Sequence, residues 1–154
     1  MSCTTIMSPN ERIFLDSSII IGLFTGDDAA EMILARPVDQ SLFINDVVFS
    51  EVIYKSIILK FLETEGKFNL KKLKKNLDKY VYLYNDFLEF CDDFGLQFLV
   101  ITKAVVDLAS SLASLHKLLP NDSLIAATCK HYGIGKIASF DPDFEQLEFL
   151  ELIA

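Results

Sequence analysis

Short apolar runs, most of them closed by a carboxylate, alternate along this chain with longer stretches of helical periodicity. Few folds accept that alternation. Strands are expected over Ile13 to Asp16, Leu42 to Ile44, Leu96 to Ile101, Lys136 to Phe140 and Glu148 to Ile153. Helices are expected from Ser17 or Ser18 through Phe24, from Asn45 or Asp46 to about Phe61, over Leu70 to Phe90, over Lys103 to Leu118, and from Pro120 onward. Strands separated by helices call for a mostly parallel five-stranded sheet with helices on both faces, an α/β fold in three layers. The 51% apolar composition suits that design, because strands covered on both faces read as continuous apolar runs.

A chain of 154 residues fits one domain, and no repeat, low-complexity tract or Gly/Ser linker divides it. Residues 1–10 are expected as a flexible tail, with Met7 an alternative start, and 63–95 as an extended helical segment. No run approaches the roughly 18 uninterrupted apolar residues of a membrane span. The N-terminus lacks a basic-then-apolar signal architecture, so a cytoplasmic protein without a membrane partner is expected. The cysteines, Cys3, Cys91 and Cys129, are odd in number and far apart, and His116 and His131 are the only histidines. This pattern excludes a zinc ribbon and argues against a disulfide framework.

The formal charge is −8, at first sight hostile to nucleic acid. Charge distribution matters more than the total, however. Lys67, Lys71, Lys72, Lys74, Lys75 and Lys79 cluster with only Asp78 opposing them. Such a helix face is usually just solvated, but Lys71, Lys72, Lys74 and Lys75 are also candidates to track an RNA backbone. Tyr80 and Tyr84 share a helical stripe with Leu73 and Leu77, which favours packing over base stacking.

The acids carry the chemistry. In parallel sheets ligands bind beyond the carboxyl ends of the strands, where strand order reverses. Asp16 and Asp141 close strands, while Glu51 and Asp122 lie on helices that start near the same edge. Individually each has an ordinary reading. Asp122 suits a helix start, Glu51 has Lys55 one turn away, Asp16 suits a cap, and Asp141-Pro-Asp143 suits a turn. Together they form an oxygen-only cluster, the usual cradle for Mg²⁺ or Mn²⁺ and for phosphate chemistry. Asp27, Asp28, Asp92 and Asp93 are expected as solvated loop acids.

The segments Ile-Phe-Leu-Asp16-Ser-Ser, Asn-Asp-Val-Val-Phe-Ser-Glu51-Val, Leu-Pro-Asn-Asp122-Ser-Leu-Ile-Ala-Ala and Ile-Ala-Ser139-Phe-Asp141-Pro-Asp143-Phe, in that order, resemble the PIN domain. The likeness is greatest to small prokaryotic members typified by VapC toxins. It implies a Rossmann-like fold and Mg²⁺- or Mn²⁺-dependent endonucleolytic hydrolysis of single-stranded or structured RNA. It also implies a homodimer and an antitoxin partner. Asp16, Glu51, Asp122 and Asp141 take the family's acidic positions, with Asp143 a secondary acid. Asp16, Asp122 and Asp141 are the expected metal ligands, and Ser17 and Ser139 accessory groups. Ser18 stands where Asn is frequent. A PIN-like adaptor without catalysis and an RNA-processing nuclease that is no toxin are the alternatives. A haloacid-dehalogenase phosphatase would need an Asp where this chain has Ser18.

Overall fold

The computed structural model describes residues 10–36 and 39–154. The expected N-terminal tail, apart from Asn10, lies outside the described residues. In chain order the elements are β1 (Glu11–Leu15), α1 (Ser17–Phe24), α2 (Asp28–Leu34), β2 (Gln40–Asn45), α3 (Asp46–Glu65), α4 (Leu70–Lys75), a 3-10 turn (Leu77–Tyr80) and α5 (Tyr82–Asp93). They continue with β3 (Gln97–Leu99), α6 (Lys103–His116), α7 (Pro120–His131), β4 (Lys136–Ala138), a second 3-10 turn (Pro142–Gln146) and β5 (Glu151–Ile153).

The five strands pair in the order β3-β2-β1-β4-β5, every pair parallel. The chain walks outward from β1 through β2 to β3, then returns to the other side of β1 with β4. The reversal therefore falls between β1 and β4, where Phe14 pairs with Ile137 and Leu15 with Ala138. Ile13, Phe14 and Leu15 are fully buried, as expected of a central strand covered by helices on both faces.

Helix α3 shows how local signals and packing agree. The Asn45 side chain caps it by accepting from Val48 N–H at 3.1 Å. Gly66 ends it in the left-handed conformation, φ 70°, which a side chain would strain. Val48, Val52, Ile53, Ile57 and Phe61 form its buried stripe. Between α1 and α2 the packing demands a glycine, since a Cβ on Gly22 would lie 3.0 Å from that of Ala30.

The structure departs from the sequence-based expectation at α2, in the segment after α3 and at the lengths of three strands. Helix α2 was not anticipated; Asp27, expected as a loop acid, caps it through bonds to Ala29 and Ala30 N–H at 2.9 and 3.2 Å. The long helix expected over Leu70 to Phe90 is broken into α4, a 3-10 turn and α5. The Asn76 side chain donates to Lys72 C=O at 2.8 Å, competing for the backbone where α4 stops. The tighter 3-10 turn rotates the register, so Leu73, Tyr80, Leu83, Phe87 and Cys91 are buried, whereas Leu77 and Tyr84 are exposed. Finally, β3, β4 and β5 are shorter than the apolar runs that contain them. Cys91 and Cys129 are both buried free thiols, and burial raises the Cys91 thiol to about 11 and the Cys129 thiol as well.

Candidate active site

At the β1/β4 reversal, Asp16 follows β1 directly, and its N–H donates to Ala138 C=O at 3.0 Å, extending the pairing by one bond. Asp16 occupies the cap position of α1 without capping it. Its Oδ2 instead accepts from Ser18 Oγ (2.9 Å) and Ser139 Oγ (2.7 Å). Oδ1 has no hydrogen-bond partner among the described residues. Ser18 is held in turn by Phe140 N–H at 3.1 Å, and Ser139 Oγ accepts from Asp141 N–H at 3.0 Å. A serine at position 18 thus supplies a local hydrogen bond of its own.

Asp141 is fixed by its turn. Its Oδ1 accepts from Asp143 N–H at 2.9 Å, capping the 3-10 turn that Pro142 opens. The turn reading and the site reading hold together here. Asp122 sits in the first turn of α7, where Pro120 occupies a position needing no amide donor. One carboxylate oxygen from each of Asp122, Asp141 and Asp143 lies within 4.8 Å of the others.

Glu51 projects from α3 and is held at both oxygens. Ser17 Oγ, buried, donates to Oε2 at 2.5 Å, and Asn121 Nδ2 donates to Oε1 at 2.8 Å. Lys55 lies 3.7 Å from Oε2 and donates to Ser17 Oγ at 3.1 Å. The two helices that carry Glu51 and Asp122 are locked by a buried bond from Asn45 Nδ2 to Thr128 Oγ1 at 2.9 Å.

A cavity of about 620 Å³ is lined by Asp16, Ser17, Ser18, Glu51, Lys55, Leu119, Pro120, Asn121, Asp122 and Asp141. All five acids therefore meet at one place, with Asp143 closing the cluster through Asp122 and Asp141. The expected ligand trio of Asp16, Asp122 and Asp141 differs from the tightest trio, in which Asp143 replaces Asp16. Ser17 and Ser139 are hydrogen-bonded to Glu51 and Asp16 respectively. Asn121, Ser18 and Lys55 emerge as further members of the network. Asn121 stood beside Asp122 in the sequence, but nothing there showed that it reaches Glu51.

The lysines of α4 are not brought to the cavity. Lys71, Lys72, Lys74 and Lys75 are exposed, and Lys72 is ion-paired with Glu65, about 21 Å along the α3 axis from Glu51.

Electrostatics bears on what the cavity accepts. The Asp122 carboxyl is raised from 3.8 to about 6, first by burial and then by the charges of Asp141, Asp16, Glu51 and Asp143. Crowded carboxylates with oxygen donors fit Mg²⁺ or Mn²⁺, whose charge relieves the repulsion. The pH consequence has a definite sign. A carboxyl whose folded pKa is raised favours the fold below its unfolded pKa, and that advantage is lost as pH rises from 3.8 toward 6. In EDTA, Asp122→Asn should therefore be more stable than wild type at pH 7, by about 1 kcal/mol after allowing for partial solvent exposure, and not at pH 4. Thermal melts at both pH values check this; an equal difference at pH 4 and 7 would exclude titration of Asp122 as its cause.

The family model of the PIN domain matches residues 13–150. This chain belongs to the PIN domain family. The PIN chain is 39% identical over 153 residues to Ribonuclease VapC6 of Methanocaldococcus jannaschii, covering 96% of this chain and 99% of that protein. It is 33% identical over 147 residues to Ribonuclease VapC2 of the same organism, covering 92% and 93%. Its likeness is thus to the VapC-type members. Among solved structures, Mycobacterium tuberculosis VapC20, described as a sarcin-ricin loop cleaving toxin, superposes with a TM-score of 0.63 at 17% identity, over 92% of this chain and 99% of that one. A toxin–antitoxin complex from Klebsiella pneumoniae gives 0.62 at 18% identity, over 92% and 96%. At such identities these structures attest the fold of the PIN chain, a five-stranded parallel sheet flanked by helices.

Proposed function

We propose that this protein is a Mg²⁺- or Mn²⁺-dependent endoribonuclease, acting as a single domain and serving as the toxin of a toxin–antitoxin pair. The observation that carries the proposal is the convergence of acids from four separate places in the chain: Asp16, Glu51, Asp122 and Asp141 line one cavity at the sheet's reversal point, and Asp143 stands beside Asp122 and Asp141. The ribonuclease names of the Methanocaldococcus relatives support RNA as substrate, and the toxin–antitoxin structures support an antitoxin partner. A homodimer in the cytoplasm completes the proposal. Among the described residues no helix is long and apolar enough to cross a membrane.

Asp122, Asp141 and Asp143 would hold the divalent ion, with Asp16 offering Oδ1 to the same cavity. When bound, such an ion supplies positive charge for the scissile phosphate and lowers the pKa of a water. The protein supplies position. Ser18 and Ser139 fix Asp16, while Ser17 and Asn121 fix Glu51 so that its carboxylate faces the substrate space. The second carboxylate oxygen of Asp143, the exposed acid, would orient an attacking water. A lining dominated by carboxylates fits a divalent ion and hydrolysis by water, in which no protein group has to attack the phosphate.

A mixed single-stranded RNA pool incubated with Mn²⁺ or Mg²⁺, and in parallel with EDTA, tests the proposal. Cleavage with metal and none in EDTA is expected. Cleavage that persists in EDTA overturns metal dependence, and the absence of cleavage by metal-replete, folded protein favours an adaptor. Growth arrest on expression separates toxin from RNA-processing enzyme.

A further inference from the structure

We propose that Lys55 is a substrate-contacting residue of this site, donating to a non-bridging oxygen of an RNA phosphate; the inference rests on the nuclease reading above. Among the described residues lining the acidic cavity, Lys55 is the sole cation. A polyanion approaching a cavity built from carboxylates meets repulsion that a positive group inside the cavity offsets.

The geometry leaves this ammonium free to serve. Ser17 Oγ, at 3.1 Å, is its only hydrogen-bond partner among the described residues, and Glu51 Oε2 stands beyond hydrogen-bond distance at 3.7 Å. An ammonium has three N–H donors, so two remain for a ligand. The side chain is 49% exposed, on a flexible stem that can swing toward the cavity centre.

A purely structural role explains the residue poorly. Glu51 is already held at both oxygens by Ser17 and Asn121. A half-exposed pair one turn apart on a helix adds only a few tenths of a kcal/mol. Further along α3, Lys60 makes the ordinary pairing, with Glu63 at 3.4 Å, and does not line the cavity. Lys60 is therefore a matched control with the same charge and the same helix.

The test compares wild type, Lys55→Ala, Lys55→Arg and Lys60→Ala in Mn²⁺-dependent cleavage of a single-stranded RNA and in binding of that RNA over a range of NaCl concentrations. Circular dichroism verifies that each variant is folded. Lys55→Ala should raise KM about tenfold or more, with a smaller change in kcat. It should also make the slope of log affinity against log salt shallower by about 0.7, the loss of one phosphate contact on a single strand. Lys55→Arg should restore most of the affinity, and Lys60→Ala should match wild type. The inference is overturned if Lys55→Ala leaves KM and the salt slope unchanged. It is equally overturned if Lys55→Ala lowers kcat alone and arginine gives no rescue, the signature of a role exerted only through Glu51. A wild-type protein that neither binds nor cleaves RNA overturns the nuclease reading, and this inference with it.

Discussion

Replacing Asp16 and Asp122 together by asparagine is expected to lower metal-dependent RNA cleavage by about 10³-fold while leaving the fold intact. Asparagine keeps the size of the side chain and an oxygen acceptor, so the Ser18 and Ser139 bonds to position 16 need not be lost. What disappears is negative charge. The site keeps Glu51, Asp141 and Asp143 but loses the Asp122 carboxylate and one of the four charges that crowd it, weakening its hold on a divalent ion. The same loss of crowding should leave the metal-free variant at least as stable as wild type at pH 7, so inactivity would not trace to unfolding. Initial rates in Mn²⁺, with melting curves in EDTA, decide the matter. A folded double variant cutting within tenfold of wild type would place the chemistry elsewhere.

Asn45→Ala is expected to destabilise the protein by about 2–3 kcal/mol, combining a lost helix cap with a lost buried hydrogen bond. Asn45 is fully buried and does both jobs with one amide. Its carbonyl oxygen accepts from Val48 N–H at the start of α3, and its NH₂ group donates to Thr128 Oγ1 on α7. Thr128 keeps its own bond to Leu124 C=O at 2.7 Å, so the damage falls mainly on Val48 and on the register between the helices. A melting temperature lower by about 4–10 °C should follow for a chain of this size. Because α3 carries Glu51 and α7 carries Asp122, cleavage should fall as well. Asn45→Asp separates the two roles, keeping the cap acceptor and losing the donor to Thr128. Urea unfolding of both variants measures the split; a loss of under about 0.5 kcal/mol in Asn45→Ala would show that neither bond stabilises the fold.

Much of the architecture could be read before the structure was known, for identifiable reasons. Ile13 to Leu15, and Ile137 with Ala138, are fully buried apolar runs because a parallel strand inside the sheet is covered on both faces. Asn45 and Gly66 bracket α3 with side-chain and backbone chemistry that acts locally. The acids were legible for the same reason: a carboxylate directly after a buried strand has only the sheet's carboxyl edge to occupy. The break at Asn76 was not legible, since Leu70, Leu73, Leu77 and Tyr80 keep helical spacing straight through it. Helix α2 was also hidden, because its burial rests on small residues such as Ala30 packed against Gly22, which give little periodic signal.

The sequence by itself determined the strand–helix alternation, the parallel sheet it requires, and the acids placed at strand ends and helix starts, because these follow from local periodicity and from side chains acting on neighbouring backbone. The tertiary structure alone decided which carboxylates stand closest, with Asp143 joining Asp122 and Asp141. It alone brought Asn121 to Glu51 and set Lys55 in the cavity wall, and it carried the lysines of α4 away from the cavity. Those outcomes depend on the directions of side chains from elements far apart in the chain, which only the packed sheet and its crossing helices fix.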